Sequence, residues 1–160
     1  MAVDVFLKID GIPGESKDAT HSGEIEVLSW SWGAQQNGTF ASGGGGGAGK
    51  VSVSDISFMQ NMQKSSSLLM LHCCNGKHIP QAILTARKAG EDQQEYLKIT
   101  LSDILVSSYQ TGGTGEGGVP TENISLNFAK VEMAYAEQKA DGSLEGPVTK
   151  GWDLKQNKMA

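Results

Sequence analysis

The stretch 24–53, EIEVLSWSWGAQQNGTFASGGGGGAGKVSV, decides the fold. In its first part Leu28, Trp30 and Trp32 alternate with Ser29 and Ser31, the two-residue period of a strand with indoles on one face and small hydroxyls on the other. The apolar face reads as core, so Leu28, Trp30 and Trp32 are expected inside, together with Trp152 from the last strand. The hydroxyl face must meet something else. An arm follows from Gly33 to Gly49, with Gly43, Gly44, Gly45, Gly46 and Gly47 in succession. Each glycine costs roughly 0.5–1 kcal/mol relative to alanine when fixed in regular structure. The arm is therefore expected to be unstructured in isolation, and loops of this length are mostly functional or disordered. KVSVSD, from Lys50, opens the next strand.

Upstream, Val3, Val5, Leu7 and Ile9 form one face of a half-buried first strand, ended by Gly11, Pro13 and Gly14. Downstream, Val51 and Val53 share one phase and Ile56 and Phe58 the other, which a bulge near Asp55 reconciles as one bent strand. Residues 66–74, SSLLMLHCC, read as a short helix with Ser65 or Ser66 as N-cap and Gly76 as terminator. It is apolar nearly all round and must lie against other structure. Alternation over 82–87 and again over 96–106, around the turn KAGED, predicts a hairpin. A second glycine loop, TGGTGEGGVP at 111–120, leads to the longest strand candidate, 122–137. There Ile124, Leu126 and Phe128 point one way and Val131, Met133 and Tyr135 the other, so the strand bends near Ala129 and Lys130. Asp141-Gly142 supplies a turn before a last strand with Val148, Trp152 and Leu154. Roughly seven to nine strands and one helix make a single all-β domain over 1–160, a sandwich or small barrel with the helix on its side.

Composition excludes several functions. With 160 residues, a net charge of −5 and no Lys/Arg cluster, the chain has one core and no nucleic-acid surface. The N-terminal stretch lacks the apolar run of a secretory signal, and nothing approaches the roughly 20 apolar residues that span a bilayer. By ordinary routes the chain is expected to stay in the cytosol, without membrane insertion. Cys73 and Cys74 are adjacent, which suits neither a disulfide framework nor a redox motif. With His72 and His78 nearby they still do not converge on a metal, because successive helical residues point about 100° apart. Gly44, Gly49 and Lys50 fit phosphate-loop spacing, but Val51 stands where Ser or Thr would hold magnesium and a strand follows. His21, His72 and His78 are framed by no nucleophile elbow or zinc helix, so no catalysis and no cofactor are expected. For the tryptophans, core packing competes with a sugar-stacking platform, which keeps a β-sandwich carbohydrate-binding module as the rival reading.

Seven colinear blocks go further. DVFLKIDGIPGES, EIEVLSWSWG, GGGGGAGKVSVSDISFM, SLLMLHCCNGKHIPQAILTARKAG, EYLKITLSDILVSS, TENISLNFAKVEM and KGWDLKQNK together resemble the haemolysin-coregulated protein family, Hcp, over nearly the whole chain. The resemblance implies the tube subunit of the bacterial type VI secretion system. Its fold would be two packed antiparallel sheets forming a β-barrel with one flanking helix, like phage tail-tube proteins. Its partners would be five further copies in a homohexameric ring, rings stacked head-to-tail, the sheath, a VgrG-type spike and small effector proteins in the lumen. The protein would wait in the cytoplasm and be ejected toward a target cell without a signal peptide. By the same resemblance Ser29 and Ser31 would face the lumen. The arm from Gln36 through Gly43, Gly44, Gly45, Gly46 and Gly47 to Lys50 would reach a neighbouring subunit or ring, and so could the loop 111–120.

Overall fold

The structure is a computed structural model that describes residues 3–38, 49–89 and 93–160. In chain order its elements are β1 (Val3–Ile9), β2 (Ile25–Glu26), β3 (Ser29–Ser31), β4 (Ala34–Gln35), β5 (Ser52–Val53), β6 (Ile56–Asn61), α1 (Ser65–Asn75), β7 (Ile79–Lys88), β8 (Glu95–Gly112), β9 (Thr121–Tyr135), β10 (Val148–Asp153) and β11 (Lys158–Met159). All pairings are antiparallel.

The bend in β9 organises the barrel. Its buried residues run Glu122, Ile124, Leu126 and Phe128, then shift phase to Val131. The partner changes at the same place: Thr121–Leu126 pairs with β6 and Lys130–Tyr135 with β10, while β8 follows β9 along both halves. β8 accommodates the bend with Asp103 at φ 54 and an irregularity at Val106/Ser108. The wall continues from β8 to β7, β1 and β2. From β2 the chain steps directly into β3: the Val27 N–H bonds Val5 O at 2.9 Å, and the next amide, Leu28, bonds Met59 O at 2.8 Å. β3 pairs β6 and β6 pairs β9, so the circuit β1, β2/β3, β6, β9, β8, β7 closes. The fold is an all-β barrel with one helix.

That step corrects two expectations. Ile25 and Val27 are core on one phase, and Trp30 and Trp32 pack against the core on the other, so Leu28 falls at the phase change and is 54% exposed instead of buried. Residues 50–62 form no single bulged strand. They split at Ser54–Asp55 into β5, which pairs β4 at the base of the arm, and β6, which belongs to the barrel. Ser54 closes that base, its hydroxyl accepting from Gly33 N–H at 3.0 Å. The glycine run 43–47 lies outside the described residues.

The helix differs at its start. Lys64 occupies the N-cap position without a side-chain bond, and Ser65 and Ser66 lie inside the helix, buried, with their hydroxyls turned to the barrel. The cap comes from elsewhere: the Glu15 carboxylate accepts the Lys64 N–H at 2.8 Å, and Gln63 Oε1 accepts the Glu15 N–H at 3.0 Å. A carboxylate there satisfies an orphan donor and complements the helix dipole. Gly76 ends the helix at φ 64, its N–H bonded to His72 O.

Candidate functional site

Register places the tryptophan strand's hydroxyls in a larger surface. Residues directly opposite in a ladder share a face. Ser31 opposes Ser57, Ser57 opposes Ser125, and Ser125 opposes Ser108, one row across β3, β6, β9 and β8. Ser57 and Ser125 hydroxyls bond each other at 2.9 Å. The next row on this face is Ser29, Met59, Asn123 and Gln110. Between the two rows, pointing the other way, run Trp30, Phe58, Ile124 and Tyr109, which pack in the core. The surface thus follows from alternation: the strands turn Trp30, Phe58, Ile124 and Tyr109 to the barrel and mostly Ser, Asn and Gln to the outside, with Met59 as the one large apolar side chain in the two outward rows.

The face is nearly free of charge. Asp55, at its margin, has both carboxylate oxygens engaged, by Ser107 Oγ at 2.6 Å and Asn127 Nδ2 at 2.8 Å. Both lateral edges are open among the described residues: β3 pairs with β6 alone, and residues 106–112 of β8 with β9 alone. An open edge presents unpaired N–H and C=O groups, which a second sheet can satisfy.

Beneath the face lies a polar network that sequence reading missed. Glu122 is buried and accepts from Gln60 Nε2 at 2.9 Å, from Ser66 Oγ and from Tyr109 Oη. Ser65 Oγ adds a bond to Gln60 Oε1 at 3.1 Å. Burial alone would raise the Glu122 pKa, but the hydrogen bonds from Ser66, Tyr109 and Gln60 outweigh it and hold the carboxyl below its usual range. The network joins α1, β6, β8 and β9, and so supports the polar sheet from behind.

A second cluster fastens the loop between β1 and β2. The buried Arg87 guanidinium bonds both Asp18 oxygens and Thr20 Oγ1, and stands 4.9 Å from the centre of the Phe6 ring. His21 stacks on Phe6 at 4.5 Å, with Glu24 at 2.9 Å from Nδ1 and Glu95 at 2.6 Å from Nε2. Arg87 holds Asp18 far below the usual carboxylate range, chiefly through the hydrogen bond and against the opposing effect of burial. Asp18 and Glu122 are thus both more acidic folded than unfolded, so their contribution to stability is complete above about pH 5 and is lost as the pH falls further. Urea midpoints are expected to stay level from neutral pH to about 5 and then drop. Asp18→Asn is expected to flatten that drop, and an unchanged acid limb would show that the Arg87 pair contributes nothing.

The remaining predicted site residues spread over the surface. Trp32 and Trp152 are half-buried against the core and line one pocket of about 500 Å³ with Val51, Val53, Val131 and Gln36. Their indole N–H groups are buried and have no hydrogen-bond partner among the described residues. Gln36 and Lys50 are exposed just beyond the β4–β5 ribbon. His72 turns inward and bonds Leu68 O at 2.7 Å, Cys73 is half-buried and Cys74 exposed, so these three side chains diverge. No helix of the described residues is long and apolar enough to cross a membrane.

Comparison with known proteins fits this architecture. Residues 6–135 match the family described as type VI secretion system effector, Hcp. The chain is 57% identical to Protein hcp1 of Pseudomonas aeruginosa, with both chains covered completely. Hcp1 of Salmonella typhimurium superposes with a TM-score of 0.82 at 40% identity over 100% of both chains. A structure described as a type six secretion system protein superposes with a TM-score of 0.93 at 31% identity, covering 99% of this chain and 100% of the other. The matched family is one of the type VI secretion system. The chain belongs to the type VI secretion system Hcp family.

Proposed function

We propose that the protein is the tube subunit of its secretion system: a homohexameric ring that stacks head-to-tail beneath a VgrG-type spike and inside a sheath, carries small effectors in its lumen, and leaves the cytoplasm with them. The observation that carries this reading is the nearly uncharged outer face of the sheet β3-β6-β9-β8 with, among the described residues, an open edge on each side. One edge of this sheet meeting the opposite edge of the next copy is a heterologous contact, and repeated rotation closes it into a ring. The serine rows would then line the lumen, where small hydroxyls leave room for cargo and offer hydrogen bonds without a fixed charge. The whole chain, 1–160, acts as one such domain and needs neither catalysis nor a cofactor. The arm from Gln36 to Lys50, which joins β4 to β5, serves ring stacking.

Sugar binding by the tryptophans is the poorer fit. Among the described residues the pocket beside Trp32 and Trp152 is lined by valines, and its polar groups besides the two buried indole N–H groups are the side chains of Gln36 and Asn157. A hydroxyl-studded sugar demands more partners than these. Indole fluorescence unchanged by added glycans is the expected outcome.

Native mass by light scattering, with negative-stain images of the same fractions, tests the tube reading: a uniform six-subunit ring supports it, and a monodisperse monomer overturns it. Ser31→Gln should leave the ring intact and reduce co-purification of a lumenal effector by about tenfold, the equivalent of roughly 1.4 kcal/mol. Loss of the ring itself, or full retention of cargo, would remove Ser31 from the lumen. Deleting Gly43–Gly47 should leave the urea midpoint of the subunit near its original value while shortening or abolishing stacks. Unfolding on that deletion would show that the arm belongs to the domain.

A further inference from the structure

Among the described residues two apolar surfaces remain without cover, one on the β9-β10 part of the wall and one on the outer side of α1. The first is part of the sheet face that elsewhere forms the core. One cross-strand row runs Val5, Ala86, Leu97, Tyr135 and Val148. Its exposure climbs along the sheet, from 1% at Ala86 to 51% at Tyr135 and 66% at Val148. The neighbouring row behaves alike: Leu7, Leu84 and Ile99 are buried, but Met133 is 39% exposed. The inward face of the barrel wall therefore continues past the barrel's cover onto the second half of β9 and onto β10, and ends bare. Among the described residues the edge of β10 is open at 148–150 as well, since β11 pairs with Trp152 and Asp153 and the Ala160 N–H bonds Gly151 O at 3.2 Å.

The second surface is the outer side of α1. The helix SSSLLMLHCCN carries no Asp, Glu, Lys or Arg, and its histidine is turned inward. Leu69 faces the barrel, while Ser67, Met70, Leu71 and Cys74 are exposed on one side at helical spacing. A solvent-facing helix surface normally carries charges; this one has a methionine, a leucine and a thiol. Cys74 Sγ lies 3.7 Å from Met70 Sδ, so the sulfurs form one continuous patch.

These two surfaces cannot meet within one chain. β9 has β8 on one side, with α1 packed on it, and β6 and β10 on the other. The arrangement repeats that of the polar sheet, whose two open edges are β8 on the helix flank and β3 on the β10 flank. Both flanks thus carry one open edge and one bare apolar surface. Resting on the ring reading, we infer that in the assembly the outer face of α1 of one copy covers the bare end of the β8-β9-β10 face of the next copy, at Leu97, Met133, Tyr135 and Val148. The contact is heterologous and stands beside the joint between the polar sheets, so one rotation forms both. The ring joint then has a polar edge pairing on the lumen side and a dry apolar contact behind it.

The chain's own thiol tests this. In a Cys73→Ser background, Cys74 is the one cysteine left, and oxidation with diamide joins at most two copies. Adding Val148→Cys, or Tyr135→Cys as a second site, gives each copy two thiols that this contact pairs between neighbours. Oxidation of the assembled protein should then give a non-reducing gel ladder extending past the dimer to the hexamer, with more than half of the chain cross-linked. Restoring Val148 or changing Cys74→Ser should abolish everything beyond the dimer. Rings in light scattering with no ladder from either added cysteine would overturn this contact and leave the tube reading standing. A monomeric parent protein would overturn both.

Discussion

Glu122→Ala is expected to lower the unfolding free energy by about 3–5 kcal/mol, a large fraction of the stability of a domain of this size. Glu122 is 1% exposed, and among the described residues its carboxylate meets only neutral donors. A buried charge in that position persists only because hydrogen bonds replace its water, here from the Gln60 amide and the Ser66 and Tyr109 hydroxyls. Alanine removes the acceptor and leaves those donors around a cavity, each unsatisfied polar group costing about 1–3 kcal/mol. Gln60 and Ser66 are themselves buried and cannot turn to water. Glu122→Gln keeps the shape but sets an amide N–H₂ against donors, so an intermediate loss is expected. Urea unfolding followed by circular dichroism gives the comparison. A loss below about 1 kcal/mol for alanine would mean that α1 is held by Leu69 packing and not by this network. Hydrogen exchange adds a local reading, because Ser65 and Ser66 lie in the first turn of α1 and its amides should open earlier in the variant.

Much of the barrel was legible because its strands obey a two-residue period. The β7–β8 hairpin and the bend of β9 follow from alternation, and the bend shows as a phase change at Ala129–Lys130. What was hidden lies where a strand changes partners. Leu28 shares a phase with Trp30 and Trp32 on paper, but Val27 bonds β1 and Leu28 bonds β6, and the turn between two walls cancels the alternation. Ser54 and Asp55 likewise end one pairing and start another. The Ser65 and Ser66 hydroxyls were read as caps because local capping is the commoner use of serine at a helix start. Ser66 Oγ does accept the local Gln63 N–H at 3.0 Å, but both hydroxyls donate to distant residues, Gln60 of β6 and Glu122 of β9. A signal was present: Gln60 falls in phase with Ile56 and Phe58, and Glu122 with Ile124 and Leu126, so each is a polar residue at a core position of its strand. Of the polar face, Ser29 and Ser31 were visible in the sequence. Ser57, Ser108 and Ser125 were not, because only the register of distant strands puts them in the same row.

That row carries the second large expectation, which rests on the tube reading. Ser57 is its central member, opposed by Ser31 on one side and Ser125 on the other. In a homohexamer every change is made six times around one lumen, so Ser57→Glu converts a neutral wall into a ring of carboxylates. An acidic effector co-expressed with the ring should then be retained at least tenfold less at low salt, and retention should recover as ionic strength shortens the Debye length to a few ångströms near 1 M. Ser57→Gln brings similar bulk without charge, so its loss of cargo should be smaller and indifferent to salt. Both variants should assemble, because Ser57 lies two strands away from β8 and one from β3, away from the open edges. Light scattering on each variant checks assembly before any cargo is scored. Equal losses in both variants at every salt concentration would show that space alone governs entry. Salt-dependent loss confined to the glutamate variant would show that neutrality of the serine face is itself what admits cargo, which explains why a chain with a net charge of −5 keeps its charges off this wall.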